Sequence, residues 1–270
     1  MKHKQFSIPY IVWMALFVIA PVIIVIGYAF TTPGGELTLM NFSAMGGFAS
    51  VFFRSFRLAF ISTIICIAIG YPVAYILSQE KQRIQRLMVM LIMLPMWMNF
   101  LLRTYAWMTI LENTGILNRI LSTLGLPQIQ IINTPTAVVI GMVYNFLPFM
   151  ILPIYSVIVK IDRSLYEAAQ DLGANSFNVF RKIVIPMSLP GVISGVMLVF
   201  VPAVSTFVIS QLLGGGKVMM VGDLIEMQFL GVAYHPQVGS AIALVMMILV
   251  IIFMYVIGRF GEGEEKAVAL

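Results

Sequence analysis

"YEAAQDLGANSFNVFRKIVIP", residues 166–186, is the polar stretch whose reading organises the rest of the chain. It carries Glu167, Asp171, Arg181 and Lys182 between two long apolar runs. Just upstream, Ser164 and Glu167 fit an S-x-x-E capping pattern, in which hydroxyl and carboxylate satisfy backbone N–H groups at a helix start. A short helix is therefore expected from Ser164. Leu165, Ala168, Ala169 and Leu172 recur at i, i+3, i+4 and i+7 and form one apolar face, with Glu167, Gln170 and Asp171 turned away from it. Gly173 suits the left-handed position past a helix end, which side chains with a Cβ adopt at a cost. A second amphipathic stretch begins at Ser176, with Phe177, Phe180 and Val184 on one side, and Pro186 is expected to stop it. The pattern is two short helices joined at a glycine. Small residues on an amphipathic face suit docking into a groove of another protein.

The surrounding sequence is lipid-soluble. Of 270 residues, 60% are hydrophobic and 10% charged, against about a quarter charged in soluble domains. Six stretches reach the roughly 20 apolar residues that a bilayer requires: Ile8–Phe30, Val51–Leu77, Leu87–Leu111, Pro135–Val159, Pro190–Leu213 and Val238–Ile257. No dyad alternation of barrel strands recurs, so the fold class expected is an all-α membrane protein with six spans. The first run follows Lys2, His3 and Lys4, but it is too long for a signal-peptide centre and no A-x-A-like site follows it. Residues 1–50 form the first span and an irregular outer loop, 51–260 the transmembrane core, and 261–270 a cytoplasmic tail.

Lys and Arg accumulate in cytoplasmic loops. With both termini inside, eleven of the sixteen basic residues fall on the cytoplasmic side, including Lys81, Arg83, Arg86, Lys160, Arg163, Arg181 and Lys182. Residues 160–189 then face the cytoplasm. The net charge of +5 needs no nucleic acid, because this bias accounts for it. Pro21, Pro72, Pro95, Pro148, Pro153 and Pro202 lie within spans, where each removes a helical hydrogen bond and can bend the helix. Gly191 and Gly195, four apart, allow close helix packing, within the subunit or between subunits.

One cysteine and two histidines leave no metal site to assemble, and no Ser/His/Asp set forms within the spans. "GGGKV", 214–218, lacks the hydroxyl residue that a P-loop places after its lysine. No catalytic residue and no cofactor is assigned to this chain. If ATP drives its function, another chain hydrolyses it.

Glu167-Ala168-Ala169, three residues, Gly173, nine residues, Ile183, one residue, then Ile185-Pro186 resembles the EAA loop of ABC-importer permeases, with Ile185 where leucine is usual. "GYPVAY" (70–75), "LPMWMNFLLRTYAW" (94–107), "TPTAVVIGMVYNFLPFMILPIYS" (134–156) and "QLLGGGKVMMVGDLIEMQF" (211–229) resemble the permease subunits of spermidine/putrescine importers. The resemblance implies a type I, MetI-like permease fold in the cell membrane. Residues 160–189 would couple to the ATPase, through Glu167, Ala168, Ala169, Asp171, Gly173, Ile183 and Pro186. The implied partners are a second permease subunit, two ATPase subunits that bind ATP and magnesium, and an extracytoplasmic binding protein. Permeases for thiamine, iron or other small solutes share parts of the pattern. An ion-coupled secondary transporter would instead call for intramembrane acids, and the spans hold none near mid-depth.

A polycation in transit favours acids and aromatic faces. Asp223 and Glu226 are expected near the outer mouth, with Trp97, Asn99, Tyr144, Asn145 and Phe207 lining the pathway. Trp97 lies about ten residues into the third span, or about 15 Å along a straight helix, too deep for interfacial anchoring. Arg103 is expected to have a structural role, snorkelling or pairing with a buried acid.

Overall fold

The computed structural model describes residues 8–231 and 234–268. Lys2, His3, Lys4 and the last two residues of the expected tail lie outside them. The helices are α1 (Pro9–Ala29), α2 (Ala49–Gln79), α3 (Gln82–Met93), α4 (Phe100–Leu111), α5 (Ile116–Thr123), α6 (Pro135–Ile158), α7 (Arg163–Asp171), α8 (Ser176–Ser205), α9 (Val208–Gly214), α10 (Val221–Leu230) and α11 (Pro236–Val268). Among the described residues, five helices are long and apolar enough to cross a membrane, and the bent pair Gln82–Trp97 and Phe100–Thr123, taken as one span, is the sixth. The expected all-α, six-span architecture is therefore present, and local expectations are corrected.

The third span is not one straight helix. After α3 the chain tightens into a 3-10 turn, Leu94–Trp97, and α4 then starts afresh at Phe100, with an 89° bend between the two halves. Pro95 supplies no N–H to continue α3, while the Asn99 carboxamide accepts the N–H groups of Leu101 at 2.8 Å and Leu102 at 3.4 Å. A new helix start is thereby satisfied within the membrane protein itself.

The fifth span begins earlier and ends earlier than expected. Pro186 does not stop a short helix. The chain passes from Ser176 through a π turn, Phe180–Val184, and on to Ser205 as one helical span. It breaks at Thr206 and Phe207, so that α9 is separate from α8. At the other end of the chain, α11 continues through most of the segment expected as a tail. The outer loop is partly ordered too: Met40–Ser43 is helical, Ala44–Phe48 is a 3-10 turn, and the Asn41 amide donates to the carbonyls of Ala29 and Thr31.

The core is a bundle of α2, α6 and α8. Val138, Met142, Met150 and Ile154 of α6 are wholly enclosed, the environment in which dispersion contacts and close packing hold membrane helices together. Gly191 and Gly195 settle where their close approach lies. A Cβ on Gly191 would meet the Pro153 carbonyl at 2.9 Å, and one on Gly195 the Met150 sulfur at 2.7 Å and Cα at 3.3 Å. Both glycines seat α8 on α6 within the subunit. In contrast, α1 packs on α11 at the edge of the bundle, with Trp13 and Phe17 exposed on its outer side.

Candidate coupling segment and translocation pathway

The candidate coupling segment starts one cap earlier than the S-x-x-E pattern predicts. Asp162 is the N-cap, its carboxylate accepting the Ser164 N–H at 3.0 Å, so Ser164 lies inside α7. That hydrogen bond also holds the Asp162 carboxyl below its ordinary pKa. The aspartate outcompetes serine because a charged acceptor bonds the orphan N–H more strongly than a hydroxyl does. Glu167, Ala168 and Asp171 are exposed along α7, and Ala169 is half-buried.

At the far end of α7, Gly173 adopts φ +81. Its N–H donates to the Gln170 carbonyl at 2.8 Å, and the Ala174 N–H to Ala169 at 3.0 Å. This pair of bonds closes the helix with a Schellman motif. Asn175 then caps the next start by accepting the Asn178 N–H at 2.9 Å. Leu172 is 90% exposed and Phe177 65% exposed on this surface. Leu165 joins them, so the apolar face of α7 is left uncovered in the isolated subunit, as befits a surface for a partner. Ile183 and Pro186 do not share it; both are half-buried where α8 enters the bundle.

The expected pathway residues divide into two groups. Trp97, 77% exposed, and Asn99 stand at the break of span three, and Phe207, also exposed, stands at the break of span five. The helices that leave these breaks, α4 and α9, pack against each other. The bend also removes the straight-helix depth estimate for Trp97. The other group lies behind this surface. Tyr144 is half-buried and meets Trp107 edge-on, with ring centroids 5.3 Å apart. Asn145 is buried, its amide donating to the Gly141 carbonyl at 2.9 Å.

Asp223 is not an open part of an outer mouth. It is 6% exposed and accepts the Met220 N–H at 2.7 Å at the start of α10. Burial pushes its carboxyl up to about 6, partly opposed by the Met220 N–H. Glu226 is half-buried, and one of its oxygens accepts from the Gln211 amide at 2.9 Å. Arg103 neither snorkels nor pairs with an acid among the described residues: it is 8% exposed, and its Nε and Nη1 have no hydrogen-bond partner there.

Sequence reasoning missed a cluster at the end of the bundle that carries residues 160–189. Phe180 packs edge-on against Tyr75 and Tyr71, and the hydroxyls of Tyr71 and Ser188 lie 2.7 Å apart. The Gln85 amide donates to the carbonyls of Ser78 and Glu80 and accepts from the Tyr155 hydroxyl, fastening the turn between α2 and α3. The four-residue spacing of Tyr71, Tyr75 and Gln79 was the available signal.

Residues 66–261 match the family model described as binding-protein-dependent transport system inner membrane component. The chain is 39% identical over 268 residues to a spermidine/putrescine transport system permease protein, PotB, of Haemophilus influenzae, covering 96% of this chain and 93% of that one. It is 37% identical to the PotB of Escherichia coli K12, covering 96% and 97%. Among solved structures, a bacterial ABC transporter involved in import of the acidic polysaccharide alginate superposes with a TM-score of 0.82 at 16% identity, over 96% of this chain and 94% of that one. The MetNI methionine ABC transporter, in an inward-facing form, superposes at 0.59 and 18% identity, over 80% and 94%. These two likenesses concern the fold. The family match and the near full-length relatives place the chain itself: it belongs to the inner membrane components of binding-protein-dependent transport systems, the multi-pass permease subunits of ABC importers.

Proposed function

We propose that this permease carries polyamines, spermidine and putrescine, into the cell as one half of a translocation pathway. The observation that carries the reading is the 37–39% identity, over nearly the whole chain, to permeases named for those substrates. ATP hydrolysis belongs to a separate subunit. The chain pairs with a second permease subunit and two ATPase subunits that bind ATP and magnesium, and receives substrate from an extracytoplasmic binding protein. Both termini lie in the cytoplasm, which sets residues 160–189 against the ATPase.

The geometry supports this division of labour. Glu167, Ala168, Asp171, Leu172 and Phe177 present an uncovered polar and apolar surface on a capped, glycine-jointed segment. Trp97, Asn99 and Phe207 stand at two span breaks whose following helices pack together, and discontinuous helices are where transporters build substrate contacts. An exposed indole face offers an ammonium group a cation–π contact of roughly 0.5 to 2 kcal/mol, strong enough to guide and weak enough to release. Asp223 and Glu226 shape the protein behind this surface, with Tyr144 and Asn145 supporting it.

The test is uptake by the importer reconstituted with its ATPase, partner permease and binding protein, normalised to assembled complex. Labelled spermidine should accumulate with ATP, and unlabelled putrescine should compete where thiamine and ferric iron do not. Trp97→Phe should retain part of the uptake and Trp97→Leu should lose more. Competition by thiamine or iron alone would replace the substrate class, and equal uptake in all three forms would remove Trp97 from the pathway.

A further inference from the structure

Three parts of the coupling region grip one stripe of the second span. Tyr71, Tyr75 and Gln79 are four residues apart on α2 and so lie on one face. Phe180, in the π turn of α8, stands edge-on to Tyr75 with ring centroids 4.8 Å apart and to Tyr71 with centroids 5.9 Å apart. Beyond the π turn, the buried Ser188 hydroxyl donates to the Ile185 carbonyl at 3.0 Å, which leaves the Tyr71 hydroxyl to donate to Ser188 at 2.7 Å. From the other side, the half-buried Tyr166 of α7 lines one cleft with Gln79, and burial raises its pKa.

This grip falls where α8 is mechanically weakest. In the π turn the Ile185 N–H reaches back to Phe180, and Pro186 has no N–H to contribute. A push on α7 would be absorbed by bending there unless the turn were held from outside the helix. Phe180 holds it against α2. In turn α2 packs along α6, and α6 against α4 and α9, the elements that carry the span breaks.

We propose that Phe180, with Tyr71, Tyr75 and Tyr166, forms an aromatic latch that carries the motion of the coupling segment into span two as well as span five. These are positioning residues for transport, and the inference rests on residues 163–178 being the ATPase-facing surface.

The experiment uses the complete reconstituted importer and three measurements on each preparation: ATPase subunits retained, ATP hydrolysed, and substrate imported per ATP. Phe180→Leu and Tyr75→Leu should keep the ATPase bound while import per ATP falls roughly three-fold or more, the scale on which residues along a coupling route act. Tyr75→Phe, which keeps the ring, should behave as wild type, and Tyr71→Phe should show a smaller loss through its missing hydroxyl. Import per ATP unchanged in both leucine variants overturns the latch, as does a loss that merely follows the amount of assembled complex. The underlying reading fails in a different measurement: Leu172→Asp, on the exposed coupling surface, would then retain the ATPase in full.

Discussion

Pro95 and Pro186 each follow an apolar residue, yet one marks an 89° bend and the other lies within a continuous helix. The difference is in how the neighbouring backbone is satisfied. Ahead of Pro186 the helix widens into a π turn, with the Ile185 N–H reaching the Phe180 carbonyl five residues back. A second π turn, Ala15–Ile19, stands ahead of Pro21 in α1, with the Ala20 N–H bonded to Ala15. A wider turn gives the proline ring room and the helix continues. Around Pro95 the chain tightens instead, the Met98 N–H bonding the Pro95 carbonyl at 3.2 Å, and Asn99 caps a new helix. A proline redirects a span where the next residues can start another helix.

The continuous side of this comparison depends on the seam beneath it. Gly195→Leu would drive a side chain into the Met150 backbone of α6, and the sulfur can move aside where the Cα and carbonyl cannot. Overpacking of that kind costs about 3 kcal/mol. The expected outcome is loss of folded, monodisperse protein in detergent, while Gly27→Leu, with no atom within 4 Å of its added Cβ, behaves as wild type. A well-folded Gly195→Leu protein would break the contrast between a continuous fifth span and a jointed third one.

A second discontinuity, after Ser205, extends the comparison, because the helix that follows it in the next segment is capped by a buried acid. The Asp223 carboxyl is raised from the ordinary aspartate range to about 6. Its contribution to stability is therefore fully present below the unfolded pKa and is lost as pH rises through about 6. The slope contributed by one group is at most about 1.4 kcal/mol per pH unit. Thermal unfolding followed from pH 4 to pH 7 should show this decline, and Asp223→Asn, whose amide oxygen can still accept the Met220 N–H, should flatten it. An unchanged profile in Asp223→Asn would assign the decline to other groups.

On the jointed side, Asn99→Ala removes the side-chain acceptor for the first N–H groups of α4. The expected cost is about 1 kcal/mol, with Asn99→Ser or Asn99→Asp recovering most of it. Melting temperatures of the purified subunit measure this. Equal stability in the alanine form would mean that tertiary packing, rather than the cap, sets the break.

Much of this was legible in the residues and some was not. Apolar run length gave six crossings, and Gly173 announced its left-handed turn because few other residues take positive φ without cost. The break of span three was written in Pro95 and Asn99 together, but a hydropathy window averages across both and reads one span. At Pro186 the usual meaning of proline misleads, since a π turn has no sequence signature beyond the proline it precedes. Asp162 was hidden for another reason: it and Ser164 both fit a cap, and charge decided between them. Asn145 and Asp223 could be placed along the chain but not on a face, and burial separates them from Trp97 and Phe207.

The smallest expected effect is at Pro186 itself, and it tests the comparison most directly. Pro186→Ala restores an N–H and frees φ at a position where the wider turn already accommodates the ring. Stability should change by no more than about 0.5 kcal/mol, because the bond gained replaces little that the π turn had lost. Pro95→Ala differs: it returns an N–H to a chain that bends there, so the end of α3 can compete with the 3-10 turn for the residues up to Asn99. Its effect should exceed that of Pro186→Ala, both in melting temperature and in the accessibility of a cysteine placed at Met98 in a Cys66→Ala background. If Pro186→Ala has the larger effect, the π turn is a consequence of the proline's strain and not the means by which the helix absorbs it, and the two spans differ for a reason that lies in their packing.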